Sequence, residues 1–338
     1  MIYVINNNND PFFNHAVEEY LMNNFDEEIF MLWINKPSIL IGRNQNTISE
    51  INIDYIEENG IIVVRRLSGG GAVYNDLGNI NFTFITYRDN SKPQVKNGFE
   101  KFALPVVNAL KSLGINAEFT GRNDITIDGK KFSGNAQHFG KDKLLHHGTL
   151  LYDCDMSKLS LALKSKPIKF VDKSVKSTSA RVTNIYPYMK EKMSLHSFKD
   201  YLQEYIIKTY NIKNIYEFNE EDLYEIDKIV KNRFSTWEWN YGRSPDYKYK
   251  NFVKYPSGVI EYYLEVENGE IKSISIYGDY FGEKNIQDVE KALIGGRHNR
   301  KEIELVLNKI NLDQYIHGIT INEFIDGLMD IGSNMEGD

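Results

Sequence analysis

The chain has 338 residues, of which 41% are hydrophobic and 26% are charged, so a disordered protein is excluded and about two globular domains are expected. The formal net charge of −7 gives no overall basic footprint for nucleic acid, which leaves open only a local basic patch. One cysteine excludes an internal disulfide framework and a cysteine-based zinc cluster.

The first 152 residues combine helices with short β-branched or alternating strands. The pattern predicts helices at 12–25, 54–59 and 97–113, and strands at 29–34, 38–41, 61–66, 79–87, 115–120, 124–127, 131–137 and 147–152. The pair Asp128-Gly129 predicts a hairpin turn between two of these strands. Residues 156–182 then carry many lysines and little periodicity, which predicts a long loop.

After this loop the sequence predicts two more helices and a linker, and then a separate α+β unit. Helices are expected at 195–210 and 220–234, and a linker at 237–247. A new pattern begins near residue 248, with strands at 248–255, 258–267 and 271–277 and helices at 286–293, 300–310 and 321–329. We therefore place a domain boundary near residue 245.

The most informative stretch is VVRRLSGGGAVYNDLGN, residues 63–79. Three glycines after a strand allow the backbone to approach an anion, and Arg65 and Arg66 could bind a phosphate or carboxylate. The stretch lacks the GK[ST] of a Walker loop and the spacing of a dinucleotide-binding fingerprint. The alternative is a glycine-rich turn with solvated arginines.

A second polar stretch is GRNDITIDGKKFSGNAQ, residues 121–137. Asn123 and Asp124 offer oxygen atoms suited to Mg²⁺, and Lys131 begins a strand just after the hairpin turn. With Arg122 and Ser133, these side chains could surround a nucleotide. The alternative is a polar hairpin with exposed lysines.

The remaining polar residues carry weaker signals. His146 and His147 precede an apolar stretch, but ligands at zinc spacing are missing, so a hydrogen-bonding or half-buried role is expected. Cys154 is expected to be a buried structural thiol. Glu18 and Glu19 are expected on a solvated helix face.

At these motifs the sequence resembles lipoate–protein ligase A of the biotin/lipoate ligase superfamily. The matching stretches are NKPSILIGRNQNT (35–47), RRLSGGGAVYNDLGN (65–79), GRNDI (121–125), GKKFSGNAQ (129–137), HGTLL (147–151) and SARVTN (179–184). One departure is Asn75, which stands where the family usually has histidine. The resemblance implies an α+β fold, with a mixed-sheet catalytic domain at 1–245 and a smaller α+β accessory domain at 246–338.

The resemblance also implies an ATP-dependent ligase. Lipoate and MgATP would give lipoyl-AMP, and the lipoyl group would pass to a lysine of the E2 subunits of 2-oxoacid dehydrogenases or of the glycine cleavage H protein. Lys131 is the expected catalytic residue, binding lipoate together with Arg66. The other expected adenylate-binding residues are Gly71, Ala72, Val73, Tyr74, Asp124 and His147, with Asp124 also a candidate Mg²⁺ ligand.

Three further expectations concern the pocket for the acyl chain, the role of the 156–182 loop and the location of the protein in the cell. Leu67, Val73, Phe82 and Phe84 are candidates for an apolar slot, and the strand phenylalanines also suit a core. The 156–182 loop could close as a lid, contact an acidic acceptor, or be a solvated basic loop. Without a signal peptide or an apolar run of membrane length, we expect a cytoplasmic protein that binds neither membrane nor nucleic acid.

Two other functions stay open at this point. An acyltransferase of the same fold could move lipoyl or octanoyl groups between carriers without ATP, and Cys154 would then be the candidate for a covalent intermediate. A non-catalytic regulator that binds lipoyl-adenylate or nucleotide is the second alternative.

Overall fold

The structure is a computed structural model, and it describes residues 1–88, 98–120, 123–163, 182–241, 249–267, 270–298 and 300–329. The strands within these ranges are β1 (Ile2–Ile5), β2 (Ile29–Trp33), β3 (Ser38–Ile41), β4 (Ile62–Arg65), β5 (Val73–Asn75), β6 (Asn79–Tyr87), β7 (Ala117–Thr120), β8 (Asp124–Ile127), β9 (Lys130–Phe139), β10 (Lys143–Leu151), β11 (Asn214–Tyr216), β12 (Tyr249–Tyr255), β13 (Gly258–Glu267) and β14 (Glu270–Gly278).

Eleven α-helices lie within the described ranges. They are α1 (Pro11–Asn24), α2 (Thr47–Glu50), α3 (Ile53–Glu58), α4 (Gly98–Ser112), α5 (Met156–Ala162), α6 (Leu195–Thr209), α7 (Glu220–Ile229), α8 (Trp237–Asn240), α9 (Gln287–Leu293), α10 (Arg300–Leu307) and α11 (Ile321–Met329). A π-helical turn, Val230–Phe234, continues α7, and short 3₁₀ turns lie at Tyr186–Tyr188 and Leu312–Gln314. None of the helices in the described ranges is long and apolar enough to cross a membrane.

An eight-stranded mixed sheet forms the centre of the larger unit. Its strand order is β11-β1-β2-β6-β10-β9-β8-β7, with β11, β1 and β2 parallel and the remaining pairs antiparallel. Because side chains alternate along a strand, Phe30 and Leu32 face the core formed with α4 and α6, whereas Met31 and Trp33 face α1 and α7. The sheet is therefore covered by helices on both faces.

A second, three-stranded sheet with the order β4-β3-β5 carries the glycine stretch between β4 and β5. Arg65, at the end of β4, is 2% exposed and holds this region together. Its guanidinium donates hydrogen bonds to the carbonyl oxygens of Gly42 (3.0 Å) and Gln45 (2.7 Å) and to that of Trp239 in α8 (2.9 Å). Arg65 is thus a buried structural cation that joins three segments, and not a solvated arginine.

The C-terminal unit has its own core between the antiparallel sheet β12-β13-β14 and the helices α9 to α11. It contacts the larger unit at the glycine stretch, where the Gly70 N–H donates to the Tyr280 carbonyl (3.3 Å). Arg88 and Glu283 form an ion pair across the same interface (2.5 Å). The predicted boundary near 245 lies in 242–248, outside the described residues, so the division into 1–245 and 246–338 stays a prediction.

The predicted fold class is confirmed, and the turn at Asp128-Gly129 has the positive φ angles of 50° and 75° that a tight hairpin requires. The pattern missed the short strands β1, β5 and β11. The linker predicted at 237–247 is wrong for 237–240, which form α8. The reason is burial, because the Asn240 side chain accepts the Arg65 backbone N–H and donates to the Phe234 carbonyl.

Replacing Arg65 with methionine should lower the free energy of unfolding by about 3 kcal/mol or more, because several buried carbonyl groups lose their donor. The matched control is Arg300→Met, which removes a half-exposed ion pair with Asp326 and should cost less than about 1 kcal/mol. Urea unfolding monitored by circular dichroism measures both. Equal losses in the two variants would contradict the structural role of Arg65.

Candidate active site

A cavity lies between the glycine stretch and the strands β9 and β10. It holds about 590 Å³ of empty space, part of it open to solvent. Six of the predicted site residues line it: Arg66, Gly71, Ala72, Val73, Lys131 and His147. The fold therefore brings together residues that are far apart in the sequence.

Two glycines of the glycine turn, Gly69–Gly71, could not be replaced without strain, one because of its φ angle and one because of close packing. Gly70 has a φ of +89°, which strongly favours glycine, and a Cβ on Gly69 would lie 2.4 Å from the Tyr280 carbonyl oxygen. A Cβ on Gly42 would likewise lie 1.9 Å from the Gly70 carbonyl oxygen. The turn is thus held between the 42–45 loop and the C-terminal unit, with Gly71 and Ala72 facing the cavity.

The buried guanidinium of Arg66 binds the carbonyl groups of this turn. Its Nη2 donates to the carbonyl oxygens of Gly69 (2.6 Å) and Gly71 (2.8 Å), its Nη1 to that of Leu40 (2.8 Å), and its Nε to Ser68 Oγ (3.1 Å). Burial lowers the pKa of Arg66 to about 10, so the guanidinium remains charged at neutral pH. Since these bonds use four of the five N–H groups of an arginine, a bidentate contact to a ligand would require some of them to break.

Lys131 and Asp124 form an ion pair at the open end of the cavity. The Lys131 Nζ lies 2.7 Å from Asp124 Oδ1, and the two side chains are 37% and 36% exposed. The Lys131 backbone is held on both sides of β9, because β8 pairs with it and its carbonyl accepts the Thr183 N–H. The ammonium is therefore attached to a fixed backbone while its charge remains accessible to a ligand.

The described residues contain no group of three His, Cys, Asp or Glu side chains that could hold a metal ion. Asp124 is not a lining residue of the cavity, but its carboxylate contacts the ammonium of Lys131, which is one. This arrangement suits a Mg²⁺ ion that arrives with phosphate oxygens better than one held by the protein alone.

A buried carboxylate, Glu18, organises the closed end of the cavity. Its Oε1 accepts hydrogen bonds from His147 Nδ1 (2.8 Å) and Thr83 Oγ1 (2.7 Å), and its Oε2 accepts one from His15 Nδ1 (2.9 Å). Burial opposes ionisation, but the two histidines outweigh it and hold the pKa of Glu18 far below its ordinary value. The expectation of a solvated face was therefore wrong for Glu18, which is 2% exposed.

His147 connects this carboxylate to the glycine turn. Its Nε2 lies 2.6 Å from Ser68 Oγ, which in turn accepts the Arg66 Nε–H. A continuous chain of hydrogen bonds thus runs from Glu18 through His147 and Ser68 to Arg66. The sequence analysis did not name Ser68 or Glu18 as site residues. The available signals were the position of Ser68 next to the three glycines and the i, i+3 spacing of His15 and Glu18, which places both on one side of α1.

The other predicted residues lie as follows. The Tyr74 ring packs in the apolar cluster of the small sheet, on the opposite side of β5 from Val73, which lines the cavity. Asn75 accepts a hydrogen bond from Asn81 (2.8 Å) and donates to the Tyr74 carbonyl (3.1 Å). Phe82 and Phe84 are fully buried in the main core, and Arg122 lies outside the described residues.

His146 and Cys154 have structural surroundings. His146 stacks on Phe102 and contacts Asn135 and Gln137, and burial lowers its pKa well below the usual value. It faces the opposite side of β10 from His147, so the two do not form a metal-binding pair. Cys154 contacts Asn184, and burial raises its pKa to about 12, which agrees with the expected structural thiol.

Comparison with known protein families gives two matches. Residues 10–207 match the lipoyl protein ligase A/B catalytic domain, and residues 244–328 match the bacterial lipoate protein ligase C-terminus. Lipoate-protein ligase LplJ of Bacillus subtilis is 45% identical over 331 residues, covering 96% of this chain and 99% of that protein. Lipoate–protein ligase 1 of Staphylococcus aureus is 40% identical over 328 residues, covering 96% and 99%.

Solved structures of lipoate–protein ligases are also similar to this chain. P. falciparum LipL1 in complex with lipoate superposes with a TM-score of 0.80 at 29% identity, covering 97% of this chain and 98% of that one. The bipartite ligase of Thermoplasma acidophilum, solved in a study with its E2 lipoyl domain, gives 0.64 at 29% identity, covering 73% and 98%. A lipoate-protein ligase A bound with ATP gives 0.62 at 27% identity, covering 71% and 98%.

Replacing Glu18 with glutamine should lower the free energy of unfolding at pH 7 by about 2 kcal/mol, because an amide cannot accept both histidine protons without placing a donor against a donor. The folded-state pKa of Glu18 is depressed, so its stabilisation is present above its unfolded-state pKa of about 4.3 and is lost as the pH falls below it. The difference between wild type and variant should therefore narrow below about pH 4.3.

Urea unfolding between pH 7 and pH 3 measures this difference. Glu225→Gln is the control, since Glu225 is half-exposed and pairs with Lys228 on the surface of α7. A gap between wild type and Glu18→Gln that stays constant down to pH 3 would contradict the ionised state of Glu18.

Proposed function

The chain belongs to the lipoate–protein ligase family, and from this premise we propose that it activates lipoate with ATP and transfers the lipoyl group to lysines of lipoyl-accepting proteins. The observation that carries the proposal is the position of the Lys131 ammonium at the mouth of a cavity whose walls include the glycine turn and Arg66. Relatives bound to lipoate and to ATP support the same assignment.

In the first step, a lipoate carboxylate oxygen attacks the α-phosphorus of ATP. The bond from the α-phosphorus to the bridging oxygen breaks, and pyrophosphate leaves with that oxygen. Because the carboxylate is already ionised, this step needs no general base. It does need positive charge, since the carboxylate and the triphosphate repel each other.

Lys131 supplies this charge. When the two anions enter, its ammonium can leave Asp124 and contact one oxygen of each, and the charge developing at the α-phosphate is then compensated. In this proposal the nucleotide binds beside Gly71 and Ala72 of the glycine turn. Arg66 fixes the shape of the turn through its hydrogen bonds to the carbonyl groups of Gly69 and Gly71. Mg²⁺ would accompany the triphosphate, with Asp124 as the nearby carboxylate.

In the second step, the deprotonated ε-amine of the acceptor lysine attacks the acyl carbonyl carbon of lipoyl-AMP. The bond from that carbon to the phosphate oxygen breaks, and AMP leaves. The proposed acceptors are E2 lipoyl domains and the glycine cleavage H protein. The Thermoplasma acidophilum ligase studied with its E2 lipoyl domain supports the first of these.

The structure does not favour the ATP-independent acyltransferase. An acyl-enzyme on Cys154 would need a thiolate, whereas this thiol is buried and its pKa is raised to about 12. The long loop predicted at 156–182 is wrong for 156–162, which form α5 with Asp155 as its N-cap. Residues 164–181 lie outside the described residues, so the lid stays a prediction.

Lys131→Ala should reduce lipoate-dependent exchange of pyrophosphate into ATP by about a thousandfold, since the variant loses the cation between the two anions. Lys130→Ala is the matched control, because it removes the same charge from an adjacent, exposed position on β9. The exchange assay uses radiolabelled pyrophosphate with and without lipoate. Near-normal exchange in Lys131→Ala would refute the role of this lysine, and absence of exchange in the wild type would refute the proposed function.

A further inference from the structure

The imidazole of His15 has one nitrogen without a partner at the closed end of the cavity. His15 is 1% exposed and lines the cavity, and its Nε2 has no hydrogen-bond partner among the described residues. A buried polar atom without a partner is unfavourable, so its persistence at a cavity wall points to a ligand.

The hydrogen bond to Glu18 decides what kind of group Nε2 requires. The Glu18 carboxylate can only accept, so the proton of His15 lies on Nδ1, 2.9 Å from Glu18 Oε2. Burial lowers the pKa of His15 despite the neighbouring carboxylate, and the ring is therefore neutral at pH 7. Nε2 then carries a lone pair and is a hydrogen-bond acceptor.

The neighbouring donors are already used. Trp33 Nε1 donates to Thr83 Oγ1 (2.9 Å), and Thr83 Oγ1 donates to Glu18. His147 Nδ1 also donates to Glu18, and the ring edge of Trp33 and the ring of Phe234 enclose the imidazole of His15. These donors are bonded elsewhere, so none of them is the partner of His15 Nε2, and a group bound in the cavity can supply that donor.

The direction of the cavity identifies which end of the ligand meets His15. Lys131 stands at the exposed end, where the carboxylate of the acid is placed by the proposed function. Leu40, Val73 and Ala136 form apolar walls, and Trp33 and His15 close the buried end. An acyl chain that begins at Lys131 therefore runs toward His15.

We propose that His15 is a specificity-determining residue whose Nε2 accepts a hydrogen bond from a donor at the far end of the acyl chain. The enzyme then favours the dithiol form of lipoate, which has S–H donors there, over the cyclic disulfide form and over octanoate. This inference rests on the proposed function for the orientation of the acid.

The test compares acids that differ only at the far end. The redox-inert pair is 8-hydroxyoctanoate and nonanoate, which have the same number of non-hydrogen atoms, and the second pair is dihydrolipoate and lipoate under anaerobic conditions. Binding is measured by calorimetry without ATP, and kcat/KM by pyrophosphate exchange. The variants are His15→Leu and, as a matched control, His196→Leu at an exposed position on α6.

We expect the wild type and His196→Leu to bind 8-hydroxyoctanoate at least about fivefold more tightly than nonanoate, with a smaller preference of the same sign for dihydrolipoate over lipoate. His15→Leu should favour nonanoate, because a hydroxyl then lacks its acceptor. A purely structural role of His15 would weaken all acids equally and leave these ratios unchanged.

Equal binding of 8-hydroxyoctanoate and nonanoate by the wild type would overturn the proposal, even if His15→Leu fails to fold. A His15→Leu variant that keeps the wild-type ratio of 8-hydroxyoctanoate to nonanoate affinity would also overturn the proposal. If the binding ratio follows His15 while no acid supports pyrophosphate exchange, the inference stands and the proposed ATP-dependent activation fails.

Discussion

Electrostatic repulsion between two anions is the constraint on which the proposed reaction depends. A carboxylate and an α-phosphate must come within bonding distance, and in water neither group gains from approaching the other. The Lys131 ammonium, held by Asp124 and partly open to solvent, is a cation that can move between them without moving the backbone. The rest of the site keeps this cation and the glycine turn in a fixed relation.

Buried polar groups give the site this rigidity. Arg65 joins the 42–45 loop to α8, and Arg66 binds the carbonyl groups of the glycine turn. Through Ser68 and His147, the same turn is connected to Glu18 at the closed end of the cavity. Groups that hydrogen bonds already hold in place are preorganised, so little reorganisation is needed when a charged ligand binds.

The sequence predicted the parts of the fold that depend on local pattern. Long alternating strands such as β6 and β13, and amphipathic helices such as α4, follow from periodicity and turn residues. The pattern misses β1 and β11 because strands of four and three residues are too short to show a periodicity. Asn240 was read as part of a linker because its burial depends on Arg65, far away in the sequence.

For the candidate site, too, the sequence predicted only what depends on local motifs. Residue chemistry local to a motif pointed to the glycine turn as an anion site, whereas the roles of Lys131 and Asp124 came from the family resemblance. The sequence could not show that Arg66 turns toward the protein, or that Glu18 is buried between two histidines. The burial of Glu18 depends on contacts between α1, β6 and β10, which become neighbours only when the large sheet is assembled. The orientation of Arg66 depends on the Leu40 carbonyl in β3 and on the carbonyls of the glycine turn.

A crystal structure with lipoate and a non-hydrolysable ATP analogue bound together would test the central claim most directly. The account predicts that Lys131 Nζ lies within hydrogen-bond distance of both a carboxylate oxygen and an α-phosphate oxygen, beside Gly71. A structure in which Lys131 still pairs with Asp124 alone, while both anions are bound elsewhere, would contradict it.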